Sequence, residues 1–388
     1  MVLPSTDLRE GDAVSTAKPL IQSCATSAIP KLKSPFTSLR IGIFAASTSG
    51  TSEHIVAIAS PASLCMVTFV AILDQNETVG AISDWCTRNR LGSGDNMNEF
   101  LKISRGEDGF RDMLNDSTID GVFITGTFDR GRYVELALKA NKHVLVDDPI
   151  THSLTEFQNL IHLALVRKLH LQDTTMFIYH YGLRKFEERI LDKESFGDIT
   201  KISTVFDINP ADARYRGIST PSNSTECWGV IGSLVRYCLV LGNLILLRAG
   251  KKAVSARITH LDKDTNGIPL HSMCTITFDG NCTLEIDCSY INYRGTRQTV
   301  EVHSATHSAT MNDFVFAHRG LASYRLYEKY KTSSDIATVT GGEAIDVEVS
   351  ERTPLNYLDF YYLSAHAILK TGWPVARSYD LETICRTL

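Results

Sequence analysis

The chain has 388 residues, a formal net charge of −5 and a hydrophobic share of 43%. This length is more than one hydrophobic core normally holds, so the sequence predicts two domains of a soluble globular protein. The slightly acidic balance argues against a nucleic-acid or anionic-membrane partner, and no apolar run approaches the roughly 20 residues that span a bilayer.

The amino terminus and the cysteines both indicate a cytoplasmic protein. The sequence does not start with the basic and apolar segments of a secretory signal. The nine cysteines form no Cys-x-x-Cys pair and no other metal-ligand spacing, so no metal site is predicted. We expect reduced thiols that fill small apolar spaces.

The first part of the chain alternates apolar strands with helices. Residues 1–36 lack any period and are predicted to be a flexible N-terminal extension. An apolar strand from Leu39, a turn of small residues and a helix from Glu53 then lead to a second apolar strand, Val67–Leu73. Such strands indicate a parallel sheet covered on both faces, so we predict a doubly wound, Rossmann-like α/β domain over residues 37–150.

After residue 150 the pattern changes to alternating strands with few helices. Helices are predicted over Leu154–Leu169, Trp228–Leu247 and Leu355–Lys370, and the last is expected to pack back on the first domain. Five runs alternate apolar and polar residues and are predicted strands: Ile199–Ile208, Ala253–Leu261, Met273–Phe278, Thr283–Ile291 and Gln298–His303. We therefore predict an α+β domain over residues 151–388, with an open and mainly antiparallel sheet.

The turn after the first strand is an altered version of a dinucleotide-binding turn. Such a turn needs small residues at three positions, which fall here at Ala45, Ser47 and Gly50. Only the third is glycine, and the Ser47 side chain lies where phosphates normally press. Asp74 ends the second strand at the spacing of a ribose-binding carboxylate and favours NAD over NADP; it is equally an ordinary turn residue. NAD or NADP binding is therefore an open prediction.

The segment Ile119–Pro149 resembles a known family. A buried strand, a helix around Tyr133–Ala140 and the strand Lys142–Val146 lead to Asp147-Asp148-Pro149-Ile150. This order is similar to that of the glucose–fructose oxidoreductase and inositol dehydrogenase family, in which the last strand ends in Glu-Lys-Pro. The resemblance implies a nicotinamide-binding domain, a second domain that often forms a homodimer through its sheet, and a small-molecule substrate.

The resemblance also locates three catalytic positions, and all three have changed chemical type. The family lysine falls at Asp148. The family motif Gly-Gly-Gly-x-Leu-x-Asp-x-Gly-x-His aligns with Val230–Val240, which places its aspartate at Arg236 and its His or Tyr at Val240. The charges are thus exchanged across the cleft, so Asp148 and Arg236 are predicted to form an ion pair. That pair either holds the two domains together or orients a carbonyl-bearing ligand.

Other candidates come from two segments near the implied cleft. A shift in the second alignment would make Tyr237 the acid or base. After an apolar run, Tyr179 and Tyr181 would share one strand face and His180 the other, although such a histidine is more often packed than catalytic. Further candidates for the substrate pocket, each also open to a structural role, are Tyr179, Arg184, Trp228 and Val240.

Three functions remain open from the sequence. The first is a repurposed enzyme, such as an isomerase, cyclase or lyase of secondary metabolism, that performs non-redox chemistry on a small organic metabolite. The second is an NAD(P)-dependent oxidoreductase with a non-standard proton donor, which Asp74 and Gly50 support. The third is a non-catalytic ligand sensor or regulatory protein. Loss of the three catalytic groups favours the first.

Overall fold

The computed structural model describes residues 39–48, 53–60, 63–91, 101–126, 129–151, 153–209, 229–291, 295–316, 321–331 and 337–348. The predicted extension over residues 1–36 and the predicted helix Leu355–Lys370 lie outside these residues, as do Gly50 and Trp228. The strands are β1 Leu39–Ala45, β2 Cys65–Ile72, β3 Lys102–Arg105, β4 Gly121–Thr125, β5 His143–Val146, β6 Leu171–Asp173, β7 Ile199–Asp207, β8 Ala253–Lys263, β9 Pro269–Phe278, β10 Cys282–Ser289, β11 Arg297–Ser304, β12 His307–Asn312, β13 Leu321–Lys331 and β14 Ala337–Glu348. The helices are α1 Glu53–Ile58, α2 Val79–Arg88, α3 Gly106–Asn115, α4 Arg130–Lys139, α5 Leu154–Arg167, α6 Tyr181–Ile190 and α7 Arg236–Arg248.

The first sheet is parallel and has the order β3-β2-β1-β4-β5-β6 within the described residues. Its central strands are apolar on both faces, because helices cover both faces. On one side, the rings of Phe44 and Phe110 have centroids 4.3 Å apart, and Tyr133 packs against both. The predicted Rossmann-like fold is confirmed.

The first sheet extends beyond the predicted domain boundary at residue 150. Helix α5 begins at a Ser153 cap, whose side chain accepts a hydrogen bond from the Glu156 backbone, and it leads to β6. Strand β6 pairs in parallel with β5, so the first sheet ends at Asp173. The short run Leu171–Asp173 gave no strand signal of its own, since three residues are too few to show a period.

The second sheet has the order β14-β13-β12-β11-β7-β10-β9-β8 among the described strands. All its neighbours pair antiparallel except β7 and β10, which run parallel. Helix α7 packs on the inner face, where the glycine at position 242 leaves room for the Leu284 side chain of β10. The predicted open and mainly antiparallel sheet is thus confirmed.

Two local expectations were wrong. The run Met176–Tyr179 forms a 3-10 turn and α6 begins at Tyr181, so strand alternation does not apply to Tyr179, His180 and Tyr181. The expectation that no apolar run approaches a membrane span also fails, because Ile231–Arg248 has the length (18 residues) and mean hydropathy (1.5) of one. Since 61% of this stretch is buried inside the protein, its apolar character matches that of a core helix.

Candidate functional site

The carboxyl ends of β1, β4 and β5 meet at one edge of the first sheet, where the strand order reverses. Ligands of open α/β sheets bind in the crevice outside such a switch point. Arg130, in the first turn of α4, fixes the local backbone: its Nε donates to the Pro149 carbonyl at 2.9 Å and its Nη1 to the Gly126 carbonyl at 2.6 Å. The segment that carries Asp147 and Asp148 is therefore held firmly at the crevice.

The structure brings Asp148 and Arg236 into contact as an ion pair between Asp148 Oδ2 and Arg236 Nη1. The two side chains are 10% and 3% exposed. Two charges removed from water this far are stable only when they face each other, since an unpaired buried charge costs several kcal/mol. The pair joins the end of β5 to the start of α7.

Arg236 lies directly after an irregular turn of the helix. Residues Ile231–Val235 form a π-helical turn, which inserts an extra residue just before α7 and is a feature often found at functional sites. The Arg236 guanidinium lies 4.4 Å from the centroid of the Tyr237 ring, so a cation–π contact supports the ion pair. Val240 follows in α7 with 2% exposure and belongs to the hydrophobic core.

A second carboxylate, Asp147, forms hydrogen bonds at the crevice with the end of β4. Its Oδ2 accepts hydrogen bonds from Thr125 Oγ1 at 2.5 Å and from the Gly126 amide at 3.0 Å. The Thr174 hydroxyl lies 3.5 Å from Asp147 Oδ1 and 3.4 Å from Asp148 Oδ1, between the two acids. Burial, partly offset by the charge of Asp147, lowers the pKa of His54 to about 4, so this nearby imidazole is neutral at pH 7.

In the turn after β1, a carboxylate of the protein itself accepts hydrogen bonds. Glu77 Oε1 accepts hydrogen bonds from the Thr48 amide at 3.1 Å and from the Thr48 hydroxyl at 2.7 Å. Backbone amides of this turn are the groups that approach the pyrophosphate in dinucleotide-binding folds. Glu77 therefore occupies a donor that a bound phosphate would otherwise use.

The described fingerprint positions of this turn carry small residues. Ala45 ends β1 and is buried, and Ser47 follows two residues later in the turn itself. Asp74 is partly buried and accepts hydrogen bonds from the Asn76 amide at 2.9 Å and from its side chain at 3.0 Å, which is the arrangement of a strand-end turn. The described part of the turn thus has small side chains at the first two fingerprint positions, and Glu77 already accepts a hydrogen bond from the Thr48 amide.

The remaining candidates lie around the start of α6. His180 caps this helix with 3% exposure, and burial together with the charge of Arg184 lowers its pKa to about 4. Tyr181 is 41% exposed and stacks with Arg184 and Lys185 at the surface. The Tyr179 hydroxyl accepts a hydrogen bond from Gln172 at 2.9 Å. These positions indicate packing and surface roles, and their catalytic roles stay predictions.

Several residues of the site were missed by sequence reasoning. Glu77, Thr174 and His54 stand in segments without a motif, and only the fold brings them to the crevice. Asp147 carried a usable signal, because two successive carboxylates at the end of a buried strand are unusual for a structural turn. Chemically, the described part of the crevice offers two buried guanidinium groups (Arg130 and Arg236), two carboxylates and a tyrosine ring, which suits a polar ligand.

Comparison with known proteins places this site in context. Residues 39–173 match a family described as an oxidoreductase family with an NAD-binding Rossmann fold. A dTDP-3,4-didehydro-2,6-dideoxy-alpha-D-glucose 3-reductase from Streptomyces violaceoruber is 30% identical over 113 residues, which are 28% of this chain and 33% of that protein. A reductase of the same name from Saccharopolyspora spinosa is 30% identical over 114 residues, again 33% of its length. The matched segment thus spans only a third of these relatives.

Solved structures share the fold along nearly the whole chain. A 3-ketoreductase from Actinomadura kijaniata in complex with TDP-benzene and NADP has a TM-score of 0.66 at 17% identity, covering 90% of this chain and 94% of the other. The scyllo-inositol dehydrogenase from Lactobacillus casei with bound NAD(H) and scyllo-inositol has a TM-score of 0.64 at 15% identity, with the same coverage. Likeness at this identity concerns the fold alone.

These matches correct the interpretation of the function. The non-redox interpretation, with an isomerase, cyclase or lyase, was wrong, because the relatives in sequence are reductases and the matching family is one of oxidoreductases. The same family match favours a nicotinamide cofactor, since that family binds NAD. The error came from treating the changed catalytic residues as stronger evidence than the intact fold.

Proposed function

We propose that the chain is an NAD(P)-dependent oxidoreductase with a non-standard proton donor; its residues 39–173 match an oxidoreductase family with an NAD-binding Rossmann fold. The observation that carries the proposal is the position of the buried Asp148–Arg236 pair beside the switch point of the first sheet. A polar pair at that position faces the crevice where a nicotinamide and a carbonyl or hydroxyl compound would meet.

Each residue of the pair has a separate role in this proposal. The bound cofactor would supply or accept a hydride. Arg236 binds the reacting oxygen of the substrate and stabilises the negative charge that develops on it during reduction. Asp148 holds the guanidinium in place and compensates its charge when no substrate is bound. A cation is thus kept in the site, although it is carried by α7 rather than by the end of β5.

The proton donor is the part of the proposal that departs from the family pattern. Val240 has no proton to transfer, and the imidazoles of His54 and His180 are neutral at pH 7. Tyr237 carries a hydroxyl, lies next to Arg236 in the chain and packs its ring on the guanidinium. We therefore assign the proton to the Tyr237 hydroxyl.

The substrate we propose is a small polyhydroxylated, sugar-like compound. The relatives named as sugar-nucleotide 3-reductases support this class. The predicted homodimer through the second sheet stays a proposal, and a cytoplasmic location stays a prediction.

The decisive experiment is a titration of the purified protein with NADH and NADPH, followed by nicotinamide emission, with reduction of sugar-nucleotide ketones measured in parallel. We expect binding in the micromolar range. Tyr237→Phe should leave that binding unchanged and lower turnover by about 10²- to 10⁴-fold, the usual contribution of an acid–base group. Absence of binding up to millimolar cofactor would overturn the proposal, and unchanged turnover in Tyr237→Phe would remove Tyr237 from it.

A further inference from the structure

A cluster of histidine and aspartate side chains lies outside the crevice, on the outer face of the second sheet. His260 and Asp262 stand on the edge strand β8, and His271 stands directly opposite Asp262 on the neighbouring strand β9. The spacing of two residues along β8 puts His260 and Asp262 on the same face. On β9, Ser272 and Cys274 are buried and face inward. His271, one residue before Ser272, therefore faces outward.

The ligand atoms of these three residues are already close together. His260 Nε2 lies 2.9 Å from Asp262 Oδ2, and His271 Nδ1 lies 3.4 Å from the same oxygen. All three ligand atoms lie within 4.8 Å of one another. Ligands held about 2.0–2.1 Å from a tetrahedral Zn²⁺ ion are about 3.3 Å apart, so small rotations of the side chains suffice to close the site.

A fourth residue orients the central histidine. Asp287, on β10, has its Oδ1 2.9 Å from His271 Nε2. When His271 donates its Nε2 proton to this carboxylate, its Nδ1 lone pair points to the side where Asp262 lies. Metal-binding histidines commonly use such a carboxylate to fix their tautomer and orientation. A chance group of surface charges would not require this second contact.

The cluster is accessible and negatively biased. The side chains of His260, Asp262 and His271 are 45%, 47% and 22% exposed, so an ion can enter from solvent. The carboxylates of Asp262 and Asp287 place two negatively charged groups beside the two imidazoles.

We propose that His260, Asp262 and His271 bind a divalent transition-metal ion, with Asp287 as the orienting carboxylate. Two imidazoles and one carboxylate suit Zn²⁺ with water at its fourth position. Their backbones are held by the β8–β9 and β9–β10 pairings, so the strands fix the donors before the ion arrives. The ion would join the edge strand β8 to β9, and the hydrogen bond between His271 and Asp287 would extend this link to β10.

The test uses the full chain, treated with a chelator and titrated with Zn²⁺ by calorimetry. We expect one ion per chain with micromolar or tighter affinity, weakened at least 10-fold in His260→Ala and in His271→Ala. Asp287→Asn should weaken it by about 10- to 100-fold, as other orienting carboxylates do. His303→Ala is the matched control, because His303 lies on the outer face of β11 near Glu301 and outside the cluster; its affinity should equal that of the wild type.

A second measurement does not depend on the variants. In the unaltered protein, Zn²⁺ should shift the imidazole ¹⁵N resonances of two histidines and leave the others in place. No saturable binding, equal affinity in His260→Ala and the wild type, or shifts spread over unrelated histidines would each overturn the proposal. The last two results would show that Zn²⁺ binds scattered surface groups.

Discussion

The ion pair between Asp148 and Arg236 makes a quantitative prediction about stability. With side chains 10% and 3% exposed, neither charge has access to bulk water that would compensate the loss of its partner. Asp148→Asn and Arg236→Gln should therefore each lower the free energy of unfolding by about 3–5 kcal/mol, the usual cost of leaving one buried charge unpaired. The double variant removes both charges and should cost less than the sum of the two single changes, by about 2–3 kcal/mol.

The assay is equilibrium unfolding in urea, followed by tryptophan fluorescence and by circular dichroism. A matched control is the surface pair Glu135–Lys139, whose charged atoms are 2.8 Å apart and whose side chains are 48% and 54% exposed. Its coupling energy should be only about 0.3–0.5 kcal/mol, because water screens both charges. The contrast between the two pairs separates the effect of burial from that of distance.

The charge exchange Asp148→Lys with Arg236→Asp gives an independent check. It restores the arrangement that the family resemblance implies, and the double variant should be more stable than either single variant. If the effects of the paired substitutions are simply additive in both the neutral and the exchanged series, the two side chains do not interact and the assignment of the site is wrong.

Three further predictions concern other parts of the structure. Glu77→Gln should tighten NADH binding by about 5- to 10-fold, or about 1 kcal/mol, in a fluorescence titration. The substitution removes a negative charge from the turn where we expect the cofactor phosphates. Weaker binding would mean that Glu77 holds the ribose instead. Burial raises the pKa of Glu187 to about 7 from an ordinary 4.5, so the native state holds this proton more tightly than the unfolded chain. The stabilisation by this proton is fully present below pH 4.5 and is lost as the pH rises through 7, by about 3 kcal/mol in all. Urea unfolding at a series of pH values measures how the free energy of unfolding changes with pH, and Glu187→Gln should remove this part of the change. Gly126→Ala should lower the melting temperature more than Gly250→Ala. Both glycines have positive φ (108° and 80°), but of the two only a Cβ at position 126 meets another atom, the Ala46 Cβ at 2.6 Å. Equal losses of melting temperature would mean that backbone strain alone determines the effect.

The sheets could be predicted from the sequence because their strands carry strong local signals. Runs such as Phe69–Leu73 are apolar without interruption, and in a chain that alternates strands with helices this pattern is typical of a buried parallel strand. The segment Met176–Tyr181 shows the limit of this reasoning. Its aromatic and aliphatic residues favour a strand, yet the chain forms a 3-10 turn and then α6, since packing of Phe177 and Phe186 in the core outweighs local propensity.

The site could be predicted only where a family motif fixed the register. Asp148 and Arg236 are 88 positions apart, and nothing in either segment alone pairs them; the resemblance did so, and the side chains meet. Glu77 and the cluster around His271 had no such guide. The Asp262–His271 pairing depends on the hairpin between β8 and β9, whose register shifts at several irregular positions that the sequence does not reveal.

The proposed function requires a non-standard proton donor because of the geometry of α7. Arg236 and Val240 are four residues apart and therefore lie on the same face of the helix. Along this face the chain has a cation that contacts Asp148 and then a buried valine, so it can stabilise charge but cannot transfer a proton. Tyr237 is rotated by about 100° from that face, and its ring reaches back over the guanidinium. Under the proposed function, the exchanged charges keep a cation at the crevice and the acid–base role falls to the neighbouring Tyr237, so the matched fold is a better guide to the chemistry than the changed motif.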